Sequence, residues 1–199
     1  MNDIIRHYDT LIDENNDPVH DPKQLRDYMD KWDGQAFIDE MRLDTDKSVL
    51  EIGVGTGRLA VRVAPLCCHF VGIDISSKTI ERAKENLKEH ANVNLISGNF
   101  LTYDFGSRKF DVIYSSLTFM HIKKKQYAID KIASFLAENG RFVLSIDKNQ
   151  SNVIDAGTSK IEIYPDNPND TERFLTAAGL SVLSGIETEF AYIFTAKKI

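Results

Sequence analysis

The chain has few cysteines, no long apolar run and no excess of basic charge, and each shortage removes a class of protein. Its only cysteines, Cys67 and Cys68, are adjacent. No second pair stands at the spacing of a zinc site or a disulfide framework, so a reducing, cytoplasmic setting is expected and no metal site is read from the sequence. No stretch approaches the about 18 apolar residues of a membrane span. The segment Met1 to Pro18 lacks the apolar core of a signal peptide. A soluble, unexported protein with no membrane partner is the expectation. The 24 Lys and Arg against 30 Asp and Glu leave a net charge of -6, with both signs spread along the chain. That balance disfavours nucleic acid as a partner. Lys123, Lys124 and Lys125 form the one obvious basic run and read as a solvated face at a helix start.

Internal repeats, low-complexity tracts and linkers are also missing. A chain of 199 residues, 42% of them hydrophobic, suits one well-buried core, so a single domain over 1–199 is expected. Nothing in the sequence sets its oligomeric state. Residues 1–46 are polar and helix-like, with breaks at Pro18, Pro22 and Gly34 and with Leu25, Tyr28, Met29 and Trp32 at helical spacing, and read as a helical cap. From 47 to 147 short β-branched runs alternate with helical stretches, the pattern of a parallel sheet covered on both faces. Strands are predicted at Val49 to Ile52, His69 to Asp74, Val93 to Ile96, Phe110 to Ser115 and Arg141 to Asp147. Helices are predicted over Gly57 to Ala64, after a Ser76 or Ser77 cap, and over Lys123 to Ala137 before an Asn139-Gly140 turn. In 148–199, Lys148 to Gly157 reads as turn-rich and Lys160 to Tyr164 alternates like a strand. A helix capped by Asn169 runs to Gly179, and Leu180 to Ile186 with Phe190 to Ala196 makes a closing antiparallel hairpin. The fold class is therefore α/β: a doubly wound, mostly parallel seven-stranded sheet with an antiparallel C-terminal pair and an N-terminal helical cap.

The informative stretch runs from Val49 to Arg58, where a buried strand enters a glycine-rich turn. Glycines at 53, 55 and 57 remove β-carbons where the chain turns, so a ligand can approach the backbone, and a helix start there offers free N–H groups to a carboxylate. A dinucleotide fingerprint, G-x-G-x-x-G, is met by Gly53 and Gly55 but broken by Arg58. Glu51 argues the same way, since a carboxylate repels a pyrophosphate and stabilises an ammonium or sulfonium.

An acidic residue followed by G-x-G-x-G, here Glu51 to Gly57, resembles the first motif of the class I S-adenosylmethionine-dependent methyltransferases, and the resemblance extends from about Ser48 to Asp147. It implies that Gly53, Gly55 and Gly57 pack against the methionine part of S-adenosyl-L-methionine, with Glu51 at the same end. Asp74, closing the second strand, matches the residue that accepts from both ribose hydroxyls, with Ile75 beside it; a helix cap is its plain structural alternative. Gly98-Asn99-Phe100 falls at the adenine motif, with Asn99 where the family usually has aspartate. An amide oxygen still accepts a bond from the adenine amino group, and Phe100 can present its backbone N–H or pack in the core. The resemblance places Ser115 at the methionine end and His121 on the acceptor side.

Transfer from a sulfonium requires in-line approach and exclusion of water, and a base for only some acceptors. His121 has an ordinary pKa suited to a base and is the candidate catalytic residue. Asp147 is a second candidate, against a role in sheet-edge hydrogen bonding. Tyr8, Tyr28 and Trp32 are read as lid or substrate contacts, because the cap is too polar to form its own core. Together these readings imply methyl transfer to a small-molecule acceptor. The alternatives are a protein or RNA methyltransferase and a module that binds the cofactor without catalysis.

Overall fold

The computed structural model of the protein describes residues 2–155 and 160–199. Part of the segment read as turn-rich, 156–159, lies outside the described residues. Strands β1 (Ser48–Ile52), β2 (His69–Asp74), β3 (Val93–Ser97), β4 (Phe110–Ser116) and β5 (Leu136–Asp147) pair in parallel. Two more strands, β8 (Leu180–Glu187) and β9 (Ala191–Lys198), add an antiparallel edge through β9 on β5. The resulting seven-stranded order is β3-β2-β1-β4-β5-β9-β8. This is the expected doubly wound sheet with its closing hairpin.

Strand alternation sends neighbouring residues to opposite faces. Leu50, Ile52, Ile113, Phe142 and Leu144 join one buried layer, which contains Ala128, Ile129 and Ile132 of α6 (Lys125–Phe135) and Leu175 of α7 (Pro168–Ala177). Val49, Phe70, Val112, Tyr114 and Val143 join the other, under α3 (Gln35–Met41), α4 (Ala60–Val63) and α5 (Ser77–Asn86). The cap residues of α1 (Asn2–Asp13) belong to neither layer. Instead α1 is tied to α5 by polar bonds: Ser76 Oγ donates to Asp9 at 2.6 Å and Lys78 reaches Asp13 at 2.6 Å. Asn86 Nδ2 donates to Asp17 at 3.0 Å in the segment that follows.

Several boundaries depart from expectation for identifiable reasons. The helix predicted over Gly57 to Ala64 is reduced to α4 and a 3-10 turn at Ala64–Leu66, because Gly57 sits at φ +97° and cannot belong to a right-handed helix. The Asn139-Gly140 turn exists, with Asn139 at φ +63°, but it is absorbed into β5, whose pairing with β4 shifts register there. The cap of α7 is Asn167, whose side chain accepts from the N–H groups of Asn169 and Asp170, so Asn169 itself is helical. Val153–Asp155 (β6) was hidden in the turn-rich reading and pairs with Lys160–Glu162 (β7) as a separate two-stranded sheet. α1 ends before Asn15, which sits at φ +58°, and Pro18 opens a 3-10 turn at Pro18–His20. Pro22 and Gly34 bound α2 (Lys23–Asp33), Gly34 also starts α3, and Ser76 caps α5 by accepting from Thr79 N at 3.1 Å. No helix among the described residues is long and apolar enough to cross a membrane.

Candidate functional site

A cavity of about 610 Å³ opens at the C-terminal ends of β1, β2 and β4, the edge where open α/β sheets gather ligands. Its volume is in the range of small-molecule sites. The turn after β1 forms one wall. Gly53, at φ +80°, donates its N–H to Ile73 O at 2.9 Å. A β-carbon there would lie 2.7 Å from Thr118 Cβ and closer still to its hydroxyl. Gly55, at φ +54°, faces open space: a β-carbon on it would meet nothing within 4 Å. Gly57 does not line the cavity, and a β-carbon there would press on Leu87 Cδ1 at 3.2 Å, so the glycine lets α5 pack closely on the turn.

Four charged side chains gather around this turn. Glu51 is buried and accepts from Tyr114 Oη at 2.7 Å. Burial pushes its carboxyl up to about 8, against the Tyr114 bond and the Arg58 charge, with Asp33 and Asp74 adding to the rise. Asp74 accepts from Gly55 N at 3.0 Å, Ser76 N at 2.9 Å and Thr79 Oγ1 at 3.2 Å. Burial raises its pKa and these hydrogen bonds oppose the rise. The carboxylate therefore does what a cap does and also lines the cavity. Arg58, the residue that breaks the dinucleotide fingerprint, is accommodated by Asp33 at the end of α2. The two form a bidentate ion pair, one bond at 2.8 Å, with the Asp33 side chain fully buried. Ser116 Oγ donates to the same carboxylate.

Ile75, Asn99 and Phe100 line the cavity as expected of neighbours. Asn99 Oδ1 accepts from Leu101 N at 2.9 Å, which shapes the turn and uses part of its acceptor capacity. Ser115 is fully buried and donates to Ile52 O at 2.9 Å, while the next residue, Ser116, lines the cavity. One step along a strand reverses the face presented. The three aromatics also separate. Tyr8 lines the cavity and its hydroxyl is 2.8 Å from His121 Nε2. Tyr28 and Trp32 do not line it; they share a different face of α2 and stack with Phe190, ring centroids 5.5 and 4.5 Å away. Met29 is the residue of α2 on the cavity wall. Asp147 accepts from Asn149 N at 2.7 Å and is absent from the lining.

His121 sits in a 3-10 turn, Phe119–His121, after β4. Burial, with the charges of His7 and Lys125, lowers its pKa to about 4, so the ring is neutral at neutral pH. Nδ1 is buried and has no hydrogen-bond partner among the described residues. Leu117, at φ +53°, turns the chain between Ser116 and Thr118 and brings all three to the cavity. Asp33, Ser116, Met29 and Thr118 were missed in the sequence. For Asp33 a signal existed: an acid in the last turn of a helix is opposed by the helix dipole and so is expected to hold something else.

Known proteins share this fold. A family model described as a methyltransferase domain matches residues 43–184, and the chain belongs to that family, the class I S-adenosylmethionine-dependent methyltransferases. An uncharacterized methyltransferase of Anoxybacillus flavithermus is 31% identical over 121 residues, covering 59% of this chain and 56% of the relative. An O-methyltransferase of Aspergillus nomiae is 28% identical over 101 residues, covering 49% of this chain and 45% of the relative. The chain thus spans about half the length of the curated relatives it matches. In fold it is similar to a methyltransferase of Aquifex aeolicus, with a TM-score of 0.72, 16% identity and coverage of 92% of this chain and 99% of the other. Magnesium protoporphyrin IX methyltransferase of Synechocystis with bound S-adenosylmethionine gives a TM-score of 0.64 at 17% identity, covering 88% of this chain and 79% of the other. S-adenosyl-L-methionine is the cofactor of that family.

Proposed function

We propose that this protein transfers a methyl group from S-adenosyl-L-methionine to a small-molecule acceptor. The observation that carries the acceptor size is the position of α1, whose Ile4, Tyr8, Leu11 and Ile12 line the cavity instead of joining either core layer. An acceptor must fit beneath that helix, which favours a small molecule over a folded RNA or protein. The acidic balance of the chain supports the same choice, and its free thiols Cys67 and Cys68 suit a reducing cytoplasm.

The residues present fit the cofactor. The open space over Gly55 leaves room for a ligand against the backbone. We assign Glu51 and Gly53 to the methionine end, Asp74 and Ile75 to the ribose, and Asn99 and Phe100 to the adenine. When bound, the cofactor supplies an electrophilic methyl on a sulfonium leaving group. What falls to the chain itself is orientation, exclusion of water by α1, and proton removal where the acceptor requires it. Proton removal is assigned to His121 in the tautomer whose Nε2–H donates to Tyr8, with Nδ1 as the acceptor; its pKa of about 4 makes it a weak base, suited to an acceptor that itself gives up a proton readily.

The test is release of S-adenosylhomocysteine from the purified protein with a panel of small alcohols, amines and carboxylic acids, beside bulk RNA and protein. Turnover with one of the small classes is expected. Turnover confined to RNA or protein would overturn the small-acceptor reading.

A further inference from the structure

Arg58 has more hydrogen-bonding capacity than its known partner uses. A guanidinium presents five N–H groups in a planar fork, and two of them are given to Asp33. Arg58 lines the same cavity as Glu51 and the Gly53 to Gly55 backbone, and its side chain is 17% exposed. Burying a guanidinium is costly unless it is paired and its donors satisfied. If the pair only tied the cap to the turn, nothing would require it to line the ligand space. The Asp33 carboxylate is also fixed from a third side by Ser116 Oγ, so the plane of the fork is set before any ligand arrives.

An α-amino acid end carries an ammonium and a carboxylate on one carbon. Glu51 supplies an acid for the first, and Arg58 is the cationic counterpart on the same wall. We propose that Arg58 recognises the α-carboxylate of the cofactor's methionine portion, with Asp33 of α2 as the positioning residue that orients the guanidinium. This rests on the cofactor assignment above and adds to it a residue pair that makes the N-terminal cap part of cofactor recognition.

The test is calorimetric titration of the full chain with S-adenosylhomocysteine and with its decarboxylated counterpart, which keeps the adenosine, the thioether and the amine. The native protein is expected to bind the decarboxylated compound about 10- to 100-fold more weakly, the range for a charge-assisted hydrogen bond. The double variant Asp33→Asn, Arg58→Met, which leaves no buried charge orphaned, should reduce that ratio to within about threefold by weakening S-adenosylhomocysteine alone. A ratio near one in the native protein would overturn the proposal without any variant having to fold. A ratio unchanged in the folded double variant would overturn it as well and reduce Arg58 to a structural tie. Failure of the native protein to bind either compound is a different result, which would overturn the cofactor assignment itself.

Discussion

The Tyr8 hydroxyl and His121 Nε2 lie 2.8 Å apart, joining α1 to the turn after β4 with the two rings edge to face at 5.6 Å between centroids. Neither ring is charged at neutral pH: burial raises the phenol pKa, with Asp74 adding to the rise, and lowers that of the imidazole. This neutral hydrogen bond joins α1 to the wall of the cavity, while its contacts to α5 combine the exposed Lys78–Asp13 pair with the part-buried Ser76–Asp9 hydrogen bond at 2.6 Å. Exposed ion pairs contribute little, so the Tyr8–His121 bond, the Ser76–Asp9 bond and the apolar residues of α1 hold the helix in place.

This arrangement makes stability depend on pH in a defined direction. The unfolded chain takes up a proton at His121 near its ordinary value of 6.5, and the folded chain only near 4. The contribution is complete above 6.5 and is lost as pH falls from 6.5 toward 4, by up to about 1.4 kcal/mol per pH unit. Urea denaturation across that window should show a steeper loss for the native protein than for His121→Gln. Identical slopes would mean that another group titrates. Tyr8→Phe should cost about 1 kcal/mol and speed amide exchange in α1.

The Asp33–Arg58 pair gives a second expectation. Asp33→Ala leaves a guanidinium that is only 17% exposed without its counter-ion and removes the acceptor of Ser116. Breaking a buried pair from one side typically costs about 3 to 5 kcal/mol. Denaturation midpoints should fall accordingly for the single variant and by less for the double variant Asp33→Asn, Arg58→Met. A single variant within about 1 kcal/mol of native would show that the pair is solvated in solution.

What was legible in the sequence was what local pattern encodes. The strands β1, β2 and β4 are apolar, β-branched runs, and the glycine turn and Asp74 follow them directly, so the sheet and one edge of the cavity could be placed without coordinates. Side-chain facing was harder. Ser115 and Ser116 differ by one step, which decides between the core and the cavity, and no local pattern distinguishes them. Tyr28, Met29 and Trp32 all recur at helical spacing, yet only Met29 reaches the cavity, because Tyr28 and Trp32 lie one turn apart on another face of α2, against Phe190 of the distant C-terminal hairpin. Asp33 and Arg58 are 25 residues apart, and their pairing depends on where α2 lands. β6 was invisible because a three-residue strand in a polar segment depends wholly on its partner.

Gly53 and Gly55 should respond differently to the same substitution. Gly53→Ala places a methyl group against Thr118 at a positive φ, and with no room to relax it should destabilise the protein by about 2 kcal/mol or more. Gly55→Ala meets nothing in the protein, so its stability cost should be only the left-handed conformation, about 1 to 2 kcal/mol. Its methyl group occupies ligand space instead, and affinity for S-adenosylhomocysteine should fall by about tenfold or more, the consequence of an overpacked contact. Thermal melts with and without that compound separate the two. If Gly55→Ala bound it as tightly as the native protein, the turn would not contact the ligand.

With Glu51 assigned to the ammonium of the methionine end, cofactor binding is expected to depend on pH. With its carboxyl pushed up to about 8 by burial, the free protein holds a proton there at neutral pH. A ligand ammonium stabilises the carboxylate and lowers that value, so binding expels the proton. Affinity for S-adenosylhomocysteine should therefore rise with pH up to about 8 and level off above it. Calorimetry near neutral pH in buffers of different ionisation enthalpy should report net proton release. Glu51→Gln keeps an acceptor but has no proton to lose, so both the release and the slope should vanish, and weaker, pH-independent binding should remain. Proton release that persists in Glu51→Gln would transfer the titration to Asp74, whose pKa burial also raises, and Asp74→Asn would then abolish it.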